Sequence, residues 1–135
     1  MLDGVRRLTR VDAAAEGQVL DLADDQLFDF PWLYVVEAGA LLLDDRRIAR
    51  LREYLLRGGF LVVDDFHGPY QWENFAFVMR QVFPRRDIVE LSEDNEIFHL
   101  LYDINDRQQI PGLQPLRSGR TWDCLLYTSP SPRDS

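Results

Sequence analysis

Trp32-Leu33-Tyr34-Val35-Val36, a helical segment opening at Asp44, the pair Gly58-Gly59 and the run Phe60-Leu61-Val62-Val63-Asp64-Asp65 form the stretch that decides the fold. Each apolar run is short, β-branched and aromatic, which suits a strand buried on both faces, as parallel sheets require. Between the runs, Ile48, Leu51 and Leu55 fall at helical spacing, with Arg46, Arg47, Arg50 and Arg52 on a wetter, solvated face. Asp44 and Asp45 read as capping residues at the start of this helix. Gly58-Gly59 stops it, because glycine accepts the left-handed conformation in which helices commonly end. Strand over 31–36, helix over 44–57 and strand over 60–63 make a βαβ unit, whose crossover is right-handed in nearly every sheet.

The alternation continues toward the C-terminus. After Asp64-Asp65-Phe66-His67-Gly68-Pro69, the positions Trp72, Phe75, Met79 and Val82 predict a second amphipathic helix, closed by Pro84. Ile88-Val89-Glu90-Leu91 reads as a third strand. From Ser92 the pattern weakens into loop, with a helical turn near Ile97 to His99, then Tyr102-Asp103-Ile104 and a Pro/Gly/Gln-rich stretch to Leu116. Toward the N-terminus, Leu2, Val5, Leu8 and Val11 repeat every three positions, the end of a helix passing into a short strand. Gln18 to Leu22 alternate as a short strand before the acidic loop at Asp24 and Asp25. The expected class is α/β with a mostly parallel sheet.

Composition sets outer bounds. The 135 residues make one domain on size, and 46% hydrophobic content with three Trp, five Tyr and eight Phe supplies a real core. A net charge of -8 opposes non-specific attraction to phosphate backbones and anionic membranes, so nucleic acid is not an expected partner. No run approaches the roughly 18 apolar residues that cross a bilayer, and no membrane insertion of this chain is expected. All fifteen basic residues are arginine, a bias that a GC-rich bacterial genome produces and that folding does not require. The single cysteine, Cys124, cannot form an internal disulfide and argues for neither an oxidising compartment nor a zinc site. No Gly-rich phosphate loop occurs, and no cofactor is implied.

From Cys124 the chain reads Cys-Leu-Leu-Tyr-Thr-Ser-Pro-Ser-Pro-Arg-Asp-Ser, which resembles the in-frame translation of a transposase-type sequencing adapter. Two Ser-Pro steps favour extended backbone, and no amphipathic period marks the stretch for burial. The expected organisation is therefore a domain over 1–123, cut near Asp123 and incomplete at the N-terminus as well, with a non-native disordered tail over 124–135. On that reading Cys124 is not a nucleophile.

Ligands of open parallel sheets sit beyond the carboxyl ends of the strands. The loops leaving Val36 and Val63 carry Glu37, the pair Asp64 and Asp65, and His67. Adjacent carboxylates beside an imidazole can hold a divalent metal, or divide acid and base roles because neighbouring charges pull their pKa values apart. They can equally cap the next helix or tie down a loop through backbone hydrogen bonds. Tyr70 and Trp72 open the following helix, where aromatics wall a pocket or make the first core contact. His99, between Phe98 and Leu100, either completes a site with His67 or packs against a backbone carbonyl.

Leu27-Phe28-Asp29-Phe30-Pro31, the run from Tyr54 through Gly58-Gly59 to Asp65, Val82-Phe83-Pro84, and Ile97-Phe98-His99 to Tyr102-Asp103 together resemble the bacterial family called domain of unknown function 4159, over roughly residues 5–122. The resemblance implies a flavodoxin-like three-layer sandwich of the class I glutamine-amidotransferase type, without an established activity. It also implies further strands beyond the C-terminal end, and proteins often exported or joined to membrane-anchored segments. A bacterial periplasmic or cell-envelope location, with envelope protein partners, is the corresponding expectation. A working amidotransferase places cysteine on a strained strand-to-helix elbow beside a histidine. The matching turn here is Asp65-Phe66-His67-Gly68, with neither Cys nor Ser, so thiol-based amidohydrolysis is not expected. Two readings follow: a non-catalytic binding or scaffolding module, and a metal-dependent hydrolase using Asp64, Asp65 and His67, joined by Glu37 or His99.

Overall fold

The computed structural model describes residues 2–65, 67–92, 94–100, 103 and 117. Its centre is a parallel pair of strands, β1 (Trp32–Val35) and β2 (Phe60–Val63), in the register Trp32↔Phe60 to Val35↔Val63. The ladder extends by one bond at each end, from the Phe60 amide to the Pro31 carbonyl and from the Asp64 amide to the Val35 carbonyl, both 2.9 Å. Helix α2 (Asp45–Leu56) makes the crossover, and α3 (Gly68–Val82) follows β2. A short helix α1 (Leu2–Leu8) and 3-10 turns at Asp25–Asp29, Ala38–Ala40 and Glu96–Phe98 also lie among the described residues. The α/β class read from the sequence stands.

Helix α2 begins where its capping residue requires. The Asp44 carboxylate accepts the Arg47 amide at 2.8 Å, satisfying one of the amides that a helix start leaves without a partner. It ends in a Schellman turn: the Gly59 amide donates to the Tyr54 carbonyl (3.0 Å) and the Gly58 amide to the Leu55 carbonyl (3.2 Å), with Gly58 at φ +97°. Gly59 is needed for a different reason, since a Cβ there would overlap the Tyr54 ring. That ring is 2% exposed, and Tyr54 rather than Leu55 is the third buried position of the helix after Ile48 and Leu51.

The core joins Leu27, Ile48, Leu51, Tyr54 and Val82, with Leu33 and Leu61 of the sheet packed against it. Leu33 and Leu61 are register partners, so this face of the sheet turns toward α2 and the C-terminal end of α3. Trp32, Tyr34, Phe60 and Val62 occupy the other face, where Tyr34 is 42% and Phe60 59% exposed. Among the described residues the strands are partly buried on the Leu33 and Leu61 face and half-exposed on the other, where their composition suggests cover on both faces.

Other expectations also change. Ile88–Leu91 is not a strand, and Ile88, Val89 and Leu91 are all exposed. Gln18–Leu22 is not a strand either; Val19 is fully exposed and the chain turns at Asp21–Asp24 instead. Helix α1 does not run into a strand, and Val11 is exposed. Strand-like composition marks side chains that suit a pleated surface, but it does not by itself set the backbone pairing that makes a strand. The turn near Ile97 is present as the Glu96–Phe98 3-10 turn, capped by Asn95, whose side-chain oxygen accepts the Ile97 amide at 3.1 Å. Tyr102, all of 104–116 and the stretch from Cys124 onward lie outside the described residues.

The arginines of α2 do more than form a solvated face, although Arg46 is exposed. Arg46 donates to the Ala23 carbonyl, Arg47 bridges Asp21 and Asp44, and Arg50 reaches the Asp24 carbonyl and the Asp25 carboxylate. Arg50 and Arg57 also lie over the Phe28 ring, 4.6 and 4.5 Å from its centroid. They clamp the segment 21–28 onto α2 and so seat Leu27 in the core. Arg52 faces the other way. Its Nε donates to the Val82 carbonyl (2.6 Å) and its Nη2 to the Gln81 carbonyl (2.7 Å), binding the carbonyls that the end of α3 leaves open.

Arg52→Ala removes two charge-assisted hydrogen bonds and leaves part-buried carbonyls unpaired, so it lowers unfolding free energy by about 1–3 kcal/mol, read by urea denaturation; Arg52→Lys recovers only part, lacking the planar fork. Acid weakens the Arg47 clamp. The Arg47 guanidinium and then the Ala23 amide hold the Asp21 carboxyl down at about 2, and the Arg47 amide holds Asp44 below its ordinary value. Both folded values lie below the unfolded ones, so this stability is present above the ordinary value of 3.8 and is lost as pH falls toward about 2. A urea midpoint measured against pH declines across that window, and Asp21→Asn flattens the decline.

Candidate functional site

Because β1 and β2 are parallel and in register, the loops after Val35 and Val63 leave from the same end of the sheet. Both exits bend through a non-glycine residue in the left-handed region, Glu37 at φ 53° and Asp65 at φ 62°. Such backbone costs of the order of 1–3 kcal/mol at each position and persists where surrounding contacts over-determine it. Here the contacts are specific.

Asp64 lies in the last ladder step, on the side of the sheet that carries Tyr34. The Tyr34 hydroxyl donates to Asp64 Oδ2 at 2.9 Å, while Asp64 Oδ1 accepts the Asp65 amide at 2.7 Å. Both oxygens of this carboxylate are therefore engaged by the protein itself. The bond to Asp64 and then burial push the Tyr34 phenol above its ordinary value, because ionising it would put a second negative charge against the carboxylate. Asp65 Oδ1 lies 2.9 Å from His67 Nε2 in a half-exposed pair. His67 occupies the residue before α3 without capping it through its ring, and its amide donates to Gln71 Oε1.

Helix α3 straps the two exit loops together. Asn74 Nδ2 donates to the Gly39 carbonyl (3.0 Å) and the Leu41 carbonyl (3.1 Å), fixing the Ala38–Ala40 turn to the helix. Gly39 lies so close to Gln71 that an added Cβ would overlap that side chain. Gln71 thus touches one loop and holds the His67 amide of the other.

The candidate residues do not all converge. Asp64, Asp65 and His67 form one run with Tyr34, and Glu37 stands exposed at the neighbouring exit. Tyr70 is 81% exposed on the first turn of α3, and Trp72 instead makes the inward contact, its ring 5.9 Å from that of Phe75. His99 Nδ1 lies 3.1 Å from Asp103 Oδ1. Among the described residues, no group of three or more His, Cys, Asp or Glu side chains is arranged to hold a metal ion. A separate cleft of about 320 Å³ lies at the opposite, amino end of the strands, lined by Phe28, Phe30, Pro31, Tyr54, Arg57 and the glycine pair.

Sequence reasoning missed Tyr34, Gln71, Asn74 and Gly39. Tyr34 reads as one more aromatic in an apolar run, and only the strand register brings it to Asp64. The amides of Gln71 and Asn74 fall on a helix whose period marks the apolar side alone.

None of the described helices is long and apolar enough to cross a membrane. No curated protein and no solved structure matches the chain. One family model does match, over residues 1–126, and its extent includes β1, β2, α1, α2, α3 and both exit loops. The chain belongs to the family described as Domain of unknown function (DUF4159).

Proposed function

We propose that this domain is a non-catalytic binding or scaffolding module of the bacterial cell envelope, built on a flavodoxin-like, amidotransferase-like sheet without a cysteine nucleophile. Its recognition surface is the carboxyl end of the sheet, with Glu37, Asp64, Asp65 and His67 at the centre and Tyr70 and His99 as further candidates. One observation carries this reading: both Asp64 oxygens are held by internal donors, the Tyr34 hydroxyl and the Asp65 amide. A carboxylate so engaged positions a loop, with two of its roughly four lone-pair positions committed to internal donors and fewer left to face a metal or a substrate proton. The strapping of both exit loops to α3 supports binding, since a preformed surface avoids the entropy of ordering loops on contact. The envelope setting and the three-layer scaffold rest on the family resemblance and the strand-helix-strand order. The hydrolase reading has the Asp65–His67 contact in its favour but no third ligand beside it among the described residues.

The deciding test is a turnover screen of this chain and of a full-length family member against ester, amide and phosphoester substrates, with Zn²⁺ or Mn²⁺ added. The expected outcome is no turnover that depends on Asp64 or Asp65. Hydrolysis abolished by Asp64→Asn or Asp65→Asn, with saturable metal binding lost in step, overturns the proposal. The anchoring of Asp64 has its own readout in the tyrosinate absorbance at high pH. Tyr34→Phe removes a late-titrating phenol, and Asp64→Asn lets Tyr34 titrate earlier, because the raised value depends chiefly on that carboxylate. A Tyr34 titration unchanged by Asp64→Asn contradicts the contact.

A further inference from the structure

We draw no further inference here: the strongest candidate, the half-exposed apolar sheet face of Trp32, Tyr34, Phe60 and Val62, carries nothing because no contact among the described residues identifies what covers it.

Discussion

Parallel pairing of Trp32–Val35 with Phe60–Val63, residue for residue, is the constraint from which the rest of the structure follows. It obliges the chain to return to the same end of the sheet between the strands, and α2 is that return. It places Leu33 and Leu61 on one face, where they meet Leu51, Tyr54 and Val82. It also brings the exits of both strands side by side. A slip of one residue would turn Leu61 away from the core and Asp64 away from Tyr34 together, so core and candidate site share one determinant.

Helix α2 transmits that constraint outward. Its apolar positions close the core, while its arginines reach in two directions: Arg46, Arg47 and Arg50 to the segment 21–25, and Arg52 to the end of α3. Exposed ion pairs contribute little individually. What distinguishes these is that several end on backbone carbonyls, so they satisfy main-chain groups and fix the path of the chain. The N-terminal loop and α3 are thereby referred to one helix, and α3 in turn fixes the two exit loops through Gln71 and Asn74.

Much of this was legible in the residues. Asp44 as a cap, the stop at Gly58-Gly59, both strands and both long helices follow from local chemistry, and each is present near its expected bounds. Asp64 and Asp65 were legible as the place to look, because strand ends are where loops present side chains. Illegible features share a different cause. Ile88–Leu91 has the composition of a strand, but a strand needs a neighbour, and composition names none. The arginine face of α2 was recognisable as polar, yet periodicity cannot say whether a polar face meets water or the carbonyls of residues 23 and 24. The Tyr34–Asp64 bond depends on register across 30 positions of sequence.

The central claim is that Asp64 and Asp65 belong to the end of the ladder and not to a free loop, and hydrogen exchange at those two amides tests it most directly. The Asp64 amide is bonded to the Val35 carbonyl and the Asp65 amide to the Asp64 carboxylate. Residue-resolved exchange on the native chain is predicted to show both amides protected, Asp64 exchanging as slowly as the amides of β2 and Asp65 more slowly than the exposed segment 15–19. Exchange of both at the rate of that exposed segment would contradict the account, because the carboxylates would then be mobile and not held at the end of the ladder.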